Sequence, residues 1–278
     1  MTTAACAEIS VQSRRTRQVN RQILAITAID SSGGAGLNQD IRVAALLGNQ
    51  ICCCPTGYTI QNANGVEAIH PISDRFFRKT LKSVLQTDKP GLVKIGALCR
   101  ESQIQILCEE LKAYASAEIL VDPVFSPSKG KSFIQDAKLY HPLLEIATYL
   151  SPNLPELAKL NINHCDDTLK ILEQAQHLAK RFDLKILVKG GHQDQDPISQ
   201  SYVTMTDCQT HNLPKRKWSY SHGTGCALGM AFLCYLQQGS RGAQAFMQAS
   251  GWVTNFFDRL NSESAKDTNV SLCTGLTE

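Results

Sequence analysis

The sequence predicts an α/β fold, a three-layer α/β/α sandwich around a mostly parallel central sheet. Short apolar, β-branched runs alternate with stretches of helical spacing along most of the 278 residues. This alternation is typical of parallel strands with helices on both faces. A composition of 43% hydrophobic and 19% charged residues is ordinary for a globular protein, and the length suffices for a large core.

The first predicted unit is a strand, a glycine-rich turn and a helix. Residues 23–29, ILAITAI, have the pattern of a buried strand. DSSGGAG follows at 30–36, and residues 37–48 have apolar side chains at helical spacing up to a glycine. The same reasoning predicts strands at 91–98, 118–124 and 184–192, helices at 102–115 and 167–182, a hairpin of 201–205 with 208–213, and closing helices at about 223–238 and 241–260.

The chain is predicted to hold one domain, residues 21–262, because no linker or repeat interrupts these elements. Residues 1–20 are arginine-rich with one acidic residue, and we interpret them as a disordered extension; a transit peptide has a similar composition. Residues 263–278 are polar and are predicted to form a loose tail.

Charge, hydropathy and cysteine content argue against several classes of function. The formal net charge of +3 gives no support for binding to nucleic acid. No apolar run reaches the length that spans a membrane. The eleven cysteines include three in a row at 52–54 but no C-x-x-C pair, which favours reduced thiols over a metal or disulfide framework. We therefore expect a cytoplasmic protein without nucleic-acid or membrane partners.

The segment YSHGTGCALGM at 220–230 has the sharpest chemical signal. Its GTG turn leads into an apolar helix, so free backbone N–H groups and the helix dipole are expected to hold a phosphate. Cys226 lies in the first helical turn, where a lowered pKa and a general-base role are predicted. A glycine turn before a buried structural cysteine is the alternative, and a nucleophilic pair of Cys226 with His222 is another.

The glycine-rich turn at 30–36 is a weaker signal. It matches neither the phosphate loop G-x-x-x-x-G-K-[ST] nor the dinucleotide pattern G-x-G-x-x-G, and a plain tight turn explains it equally well. Asp40 follows in the predicted helix, where it either faces the strand ends or stabilises the helix dipole.

Four polar residues are predicted at the ends of later strands. Asn153 and Glu156 have a spacing that suits Mg²⁺ and its waters, and it suits a helix cap as well. Asp122 is a second oxygen donor or a turn former before proline. Lys189, before two glycines, neutralises phosphate or lies at the surface. Because the carboxyl ends of parallel strands meet at one edge, we expect these residues to converge.

In their order, these segments resemble the hydroxymethylpyrimidine/phosphomethylpyrimidine kinases of thiamine biosynthesis, in the ribokinase-like superfamily. The matching motifs are DSSGGAGLNQD (30–40), TGYTIQNANGV (56–66), VKIGAL (93–98), VDPV (121–124), SPNLPEL (151–157), VKGGH (188–192) and HGTGCAL (222–228). The resemblance extends over about residues 23–255. Most ribokinase-like enzymes carry aspartate as the base after Gly-Thr-Gly, whereas the pyrimidine kinases carry cysteine, as Cys226 does here.

The resemblance implies a role for each matched residue. The catalytic residues are implied to be Gly223, Thr224, Gly225 and Cys226. The substrate-binding residues are implied to be Gly34, Asp40, Gln61, Ala97 and Val124. The implied ATP phosphate contacts are Asn153, Lys189 and Gly191, and the implied Mg²⁺ ligands are Asp122 and Glu156.

The implied reaction transfers the γ-phosphoryl group of ATP to the hydroxymethyl oxygen of 4-amino-5-hydroxymethyl-2-methylpyrimidine. A second transfer onto the monophosphate gives the diphosphate. The resemblance implies Mg²⁺ dependence, a small-molecule substrate and a homodimer. Phosphoryl transfer depends mainly on positioning, so a thiol suffices in place of a strong base.

Three departures from the family pattern fall on the substrate pocket. Ser31 stands where the family usually has proline, Ala97 where KIGML has methionine, and Phe125 where methionine follows DPV. Loss of a methionine enlarges the pocket unless Phe125 fills the space. Two alternatives therefore stay open: a pyridoxal or pyridoxine kinase of the same fold, and a non-catalytic binder of a phosphorylated vitamin.

Overall fold

In a computed structural model the chain forms one nine-stranded sheet flanked by helices. The structure describes residues 22–114, 116–126, 130–134, 136–160, 168–190 and 196–264. The strands are β1 (Ile23–Asp30), β2 (Ile51–Asn62), β3 (Gly65–Pro71), β4 (Leu92–Ile95), β5 (Glu118–Val121), β6 (Tyr149–Leu150), β7 (Lys185–Val188), β8 (Ile198–Val203) and β9 (Cys208–Leu213). The helices are α1 (Gly36–Leu46), α2 (Asp74–Thr87), α3 (Glu101–Lys112), α4 (His141–Leu144), α5 (Leu154–Leu160), α6 (Thr168–Phe182), α7 (Thr224–Gln237) and α8 (Gly242–Ser264), with a 3-10 turn at Ala137–Tyr140.

The strand order is β3-β2-β1-β4-β5-β6-β7-β8-β9. The six strands from β2 to β7 in this order are parallel, and β3, β8 and β9 join through antiparallel pairs. The chain leaves β1 toward β2 and later returns to β4 on the other side of β1. The carboxyl ends of β1 and β4 therefore flank a topological switch point, where ligands bind in open α/β sheets.

Alternate residues of β1 enter two separate cores. Ile23 and Ala25 pack with apolar residues of α1, α7 and α8 on one face. Leu24 and Ile26 pack with α2, α3 and α6 on the other. Successive side chains on a strand point to opposite faces, so a strand buried on both sides has a continuous apolar sequence. The predicted three-layer α/β/α sandwich is confirmed.

Several predicted boundaries differ from the observed ones. β4, β5 and β7 are shorter than the runs that predicted them, because a glycine or proline follows within two residues of each strand end. Residues 51–87, for which no element was predicted, form the hairpin of β2 with β3 and helix α2. Helix α8 continues to Ser264, past the predicted end at 260.

The hairpin of β8 with β9 is confirmed, although its first strand begins three residues earlier than predicted. Within the described ranges, none of the helices has the length and apolar character needed to cross a lipid bilayer. The predicted extension at 1–20 and Gly191 lie outside the described residues.

Candidate active site

The turn before α7 depends on a glycine that no other residue replaces easily. Gly223 caps the helix with φ of 82°, in the left-handed region, and its carbonyl accepts a hydrogen bond from the Ala227 N–H at 2.9 Å. A Cβ on Gly223 would lie 1.9 Å from the carbonyl oxygen of Gly34. The turn therefore touches the glycine loop directly, and the positive end of the helix dipole faces the carboxyl edge of the sheet.

The glycine loop is folded around the carboxylate of Asp30. Its Oδ1 accepts hydrogen bonds from Ser32 N (2.8 Å) and Ser32 Oγ (2.7 Å), and its Oδ2 accepts one from Ala35 N (2.9 Å). Burial opposes ionisation, but hydrogen bonds from His222 and Ser32 outweigh it and lower the pKa of Asp30 to about 2. The carboxylate is therefore charged at neutral pH and fixes the loop.

His222 joins this loop to the end of β2. Its Nε2 lies 2.8 Å from Asp30 Oδ2 and 3.1 Å from Gln61 Nε2, so it donates to Asp30 or accepts from Gln61. No hydrogen bond in the described part of the chain joins His222 to Cys226. The Cys–His pair that the sequence left open is therefore wrong, because the imidazole is turned toward the loop.

Tyr220 is the second aromatic side chain on the loop. A Cβ on Gly34 would lie 2.2 Å from the Tyr220 hydroxyl oxygen and 2.5 Å from His222 Cδ2. Asn261 in α8 holds Tyr220 through both backbone groups, at 2.9 Å each, which explains why α8 continues past its predicted end. We call Asp30, Gly34, Gln61, Tyr220 and His222 the loop cluster.

The remaining predicted pocket residues, Ala97 and Val124, follow the ends of β4 and β5. Ala97 is almost fully buried and donates its N–H to Thr27 Oγ1 at 3.0 Å, while its carbonyl accepts from Thr56 Oγ1 at 2.8 Å. Val124 is half-buried. Phe125 packs edge-on against Tyr140 in the core with ring centroids 5.1 Å apart. Whether Phe125 also fills the space left at Ala97 stays a prediction.

A line of five charged side chains with alternating signs crosses the strand ends beneath α7. Both carboxylate oxygens of Asp40 accept hydrogen bonds from Lys94 Nζ, at 2.7 and 2.9 Å. Lys94 Nζ lies 3.9 Å from Asp122 Oδ2, and Lys189 Nζ donates to Asp122 Oδ1 at 2.7 Å. Lys189 Nζ is 3.5 Å from Glu156 Oε2. We call these five residues the charge row.

Burial and mutual attraction set the protonation states in the charge row. Burial raises the pKa of Asp40 to about 6 although Lys94 opposes the shift. Burial lowers the pKa of Lys94 and of Lys189, but the neighbouring carboxylates outweigh it, so both ammonium groups have raised pKa values. Burial also raises the pKa of Glu156, against Lys189. Both lysines of the row are therefore charged at neutral pH.

Asn153 and Glu156 satisfy each other as a capping box at the start of α5. Asn153 N donates to Glu156 Oε2 at 2.7 Å, and Glu156 N donates to Asn153 Oδ1 at 2.8 Å. The helix cap predicted for Glu156 is therefore present. The same carboxylate also faces Lys189 in the charge row, and its role at Mg²⁺ stays a prediction. The cap fixes the position of Glu156 at the edge of the site.

The oxygen donors here fit a magnesium ion that is shared with phosphates. Asp122 Oδ2 is buried and accepts no hydrogen bond within the described residues. Across those residues, no group of three or more His, Cys, Asp or Glu side chains has the geometry of a complete metal cage. Mg²⁺ prefers oxygen ligands and usually keeps waters and substrate phosphates beside one or two carboxylates. Asp122 with Glu156 matches that requirement.

Cys226 lies over the charge row. Burial, Asp122 and Asp40 raise the pKa of the Cys226 thiol to about 11, although Lys94 and a hydrogen bond from the Gly36 backbone favour the thiolate. The predicted lowering of this pKa is wrong, because burial and two carboxylates outweigh the helix dipole. Cys226 is therefore a neutral thiol at pH 7.

The structure brings most predicted residues together and adds others. The turn at 223–226, Gly34, Gln61, Asp122, Lys189 and the Asn153–Glu156 cap meet at one edge of the sheet. Asp40 is fully buried against Lys94, so its contact with a substrate stays a prediction. Sequence reasoning missed Lys94, for which the signal was a lysine inside the otherwise apolar strand LVKI. It also missed the role of Tyr220, for which no local signal exists.

Comparison with known proteins identifies the family of this chain. The sequence model of the family described as Phosphomethylpyrimidine kinase matches residues 30–269. The hydroxymethylpyrimidine/phosphomethylpyrimidine kinase of Bacillus subtilis strain 168 is 30% identical over 239 residues, covering 83% of this chain and 86% of the relative. Its counterpart in Escherichia coli K12 is 28% identical over 236 residues, covering 84% and 89%.

Solved structures share the fold. The pyridoxal kinase of Staphylococcus aureus in complex with ADP superposes with a TM-score of 0.76 at 24% identity, covering 84% of this chain and 86% of that one. The phosphomethylpyrimidine kinase of Clostridium difficile 630 gives 0.68 at 23%, covering 84% and 99%. The family match extends over most of the chain and includes the loop, the charge row and the turn. The chain belongs to the phosphomethylpyrimidine kinase family.

Proposed function

We propose that this chain phosphorylates the hydroxymethyl oxygen of 4-amino-5-hydroxymethyl-2-methylpyrimidine with ATP, and then phosphorylates the monophosphate to the diphosphate. Membership of the kinase family supports the reaction class. The observation that carries the proposal is the convergence of a helix N-terminal turn, the charge row and the loop cluster at the switch point of the sheet. Such an edge is where α/β enzymes bind phosphorylated ligands.

The phosphate groups are proposed to lie between the turn at 223–226 and Lys189. The N–H groups of Gly223, Thr224 and Gly225 and the dipole of α7 stabilise charge on the transferring phosphoryl group. A Cβ on Gly225 would lie 3.5 Å from Lys189 Nζ, so the ammonium group is close enough to share a phosphate with the turn. Asn153 orients Glu156 at the same edge. The phosphate contact predicted for Gly191 lies outside the described residues and stays a prediction.

Mg²⁺ is proposed to be held by Asp122 and Glu156. When bound, Mg²⁺ supplies positive charge to the phosphate oxygens. Asp122 Oδ2 accepts no hydrogen bond within the described residues, and Glu156 is fixed by its cap. Lys189 lies between the two carboxylates, 2.7 Å from Asp122 Oδ1 and 3.5 Å from Glu156 Oε2.

Cys226 is proposed to orient the acceptor hydroxyl rather than to remove its proton at the outset. A thiol with a pKa of about 11 is almost fully protonated at pH 7. Its sulfur lone pairs accept a hydrogen bond from the hydroxyl and aim the oxygen at the phosphoryl group. The transition state of phosphoryl transfer is loose, so the hydroxyl proton leaves late, after the oxygen has begun to bond to phosphorus, and passes to an oxygen of the transferred phosphoryl group.

The acceptor ring is proposed to bind between the loop cluster and the ends of β4 and β5. The carboxamide of Gln61 and the carboxylate of Asp40 match the donors and acceptors of an aminopyrimidine edge. Gly34 lets the ring approach the loop backbone closely, and Ala97 with Val124 forms the apolar wall. The space at Ala97 accommodates a heteroaromatic ring of this size or slightly larger.

The test is ATP-dependent ADP release with three acceptors in parallel: the hydroxymethylpyrimidine, its monophosphate and pyridoxal, each with Mg²⁺ and with EDTA. We expect turnover of both pyrimidines only with Mg²⁺. Turnover of pyridoxal alone assigns the chain to a pyridoxal kinase activity, and absence of turnover with bound nucleotide assigns it to a binder. An Ala97→Met variant is the matched control for the pocket, because it restores the family residue.

We also propose that the chain is a cytoplasmic homodimer with one kinase domain at 21–262 between a disordered extension and a loose tail. No contact with nucleic acid is needed for this activity. Light scattering after size exclusion tests the dimer. Limited proteolysis with mass spectrometry tests the domain limits, and rapid cleavage confined to residues 1–20 and 263–278 is the expected result.

A further inference from the structure

Lys94 joins the two halves of the charge row, because it faces both Asp40 and Asp122. Its Nζ donates to both oxygens of Asp40, at 2.7 and 2.9 Å, and lies 3.9 Å from Asp122 Oδ2. Asp122 in turn accepts from Lys189 at 2.7 Å. The side chains of Lys94 and Asp40 are fully buried. A displacement at either end of the row therefore reaches the other end through this ammonium group.

A buried ion pair at this position is not explained by stability alone. Burying an ion pair costs free energy, because both charges lose their hydration. Well-packed apolar residues at the same positions therefore stabilise the fold at least as well. Helix α7 leaves space for the lysine at Gly229, where a Cβ would lie 2.9 Å from Lys94 Cε. The lysine and the glycine fit each other, so the lysine is accommodated by its surroundings.

Asp122 offers a second hydrogen-bond acceptor to the ammonium group of Lys94. Asp122 Oδ2 is buried and accepts no hydrogen bond within the described residues. Its distance of 3.9 Å from Lys94 Nζ is too long for a hydrogen bond, and a movement of about 1 Å closes it. An ammonium group has three donors, so Lys94 is able to exchange Asp40 for Asp122.

We propose that Lys94 is a positioning residue that couples occupancy of the acceptor site to the affinity for nucleotide. The inference rests on the proposed function, in which the amino group of the substrate ring donates a hydrogen bond to Asp40. The ring thereby displaces Lys94 from Asp40, and before Mg²⁺ binds at Asp122 the ammonium group donates to Asp122 Oδ2. Asp122 thereby holds Lys189 less tightly, and Lys189 is released toward the phosphates. Acceptor binding therefore raises nucleotide affinity, and the reverse follows by linkage.

The test is a calorimetric titration of the full chain with ADP in EDTA, without and with saturating hydroxymethylpyrimidine. ADP avoids turnover, and EDTA removes divalent cations from the comparison. We expect the acceptor to raise ADP affinity about fivefold or more, the lower range of allosteric coupling. Equal affinities overturn the coupling while leaving the kinase proposal intact. A separate titration of the acceptor that shows no binding overturns the proposed function and the coupling with it.

Two variants locate the coupling at Lys94. Lys94→Gln keeps a donor to Asp40 but removes the charge, and we expect the ratio of ADP affinities to fall to within about twofold of one. Gly229→Ala keeps every charge and presses on Lys94 Cε, so it gives the same loss of coupling if Lys94→Gln does not fold. Lys185→Gln, at the exposed start of β7, is the matched control and keeps the wild-type ratio. Wild-type coupling in either of the first two variants overturns the assignment to Lys94.

Discussion

The loop cluster and the charge row lie at the same edge of the sheet but are held together differently. In the loop cluster, one carboxylate, a carboxamide and two aromatic side chains meet across partly exposed segments, and the imidazole of His222 is 33% exposed. In the charge row, five ionisable side chains of alternating type, acidic and basic, lie in a line, and Asp40 and Lys94 have no exposure at all. Partly exposed contacts such as those of His222 tolerate exchange, whereas a fully buried ion pair does not.

We propose that this difference separates selectivity from chemistry within one site. Ser31, a departure from the family pattern, hydrogen-bonds to Gln61 of the loop cluster, where an altered contact is expected to cost little. The charge row and the turn at 223–226 keep the family residues, because each charge there depends on its neighbours. Four substitutions test this contrast, in order of decreasing expected effect.

Gly223→Ala should be the most damaging. The new Cβ would lie 1.9 Å from the Gly34 carbonyl, and φ of 82° strains any side chain, so the turn must move. A displacement near 1 Å in a catalytic site costs about 100-fold in rate. Steady-state kinetics should show at least that loss in kcat. Gly251→Ala is the control, because nothing lies within 4 Å of its Cβ and its helix is expected to gain about 0.5–1 kcal/mol.

Cys226→Ala should lower kcat by about 100-fold, because the acceptor hydroxyl loses the contact that aims it at the phosphoryl group. The acceptor KM should change much less, because the thiol acts on the reacting oxygen. Cys234→Ala, two turns further along α7 and buried, is the matched control and should keep kcat. Full activity of the Cys226 variant would remove this residue from the mechanism.

Asp30→Asn tests the electrostatics of the loop cluster. The pKa of Asp30 is lowered to about 2 from 3.8, so the ionised form stabilises the folded state above pH 4. That contribution is lost as pH falls from about 4 to about 2. We expect the variant to be less stable by about 1 kcal/mol at pH 7, allowing for solvent screening, and equally stable near pH 2. Urea unfolding at both pH values measures the difference, and a pH-independent gap would contradict it.

Tyr220→Phe should have the smallest effect. The hydroxyl packs on Gly34 and makes no ion pair within the described residues, so its loss should loosen the loop slightly and raise the acceptor KM by no more than a few-fold, the value of about one neutral hydrogen bond, with kcat unchanged. Tyr58→Phe, an exposed tyrosine on β2, is the control. A large fall in kcat for the Tyr220 variant would mean that the loop cluster takes part in the chemistry.

Short-range patterns in the sequence determined much of this protein. The apolar runs and helical spacings were sufficient for the layers and the mostly parallel sheet, although they predicted no element for residues 51–87. The Asn153–Glu156 cap and the glycine turn before α7 were readable because each depends on residues within four positions of one another.

Only the tertiary structure decided the partners of the charged and aromatic side chains. Lys94 and Asp40 are 54 residues apart, and His222 and Asp30 are 192 apart, so no local pattern identifies either pair. The protonation of Cys226 depends on burial and on carboxylates from α1 and from the end of β5. The sequence placed the thiol at a helix N-terminus, which favours the thiolate. The folded chain surrounds it with low dielectric and negative charge, and these determine its state.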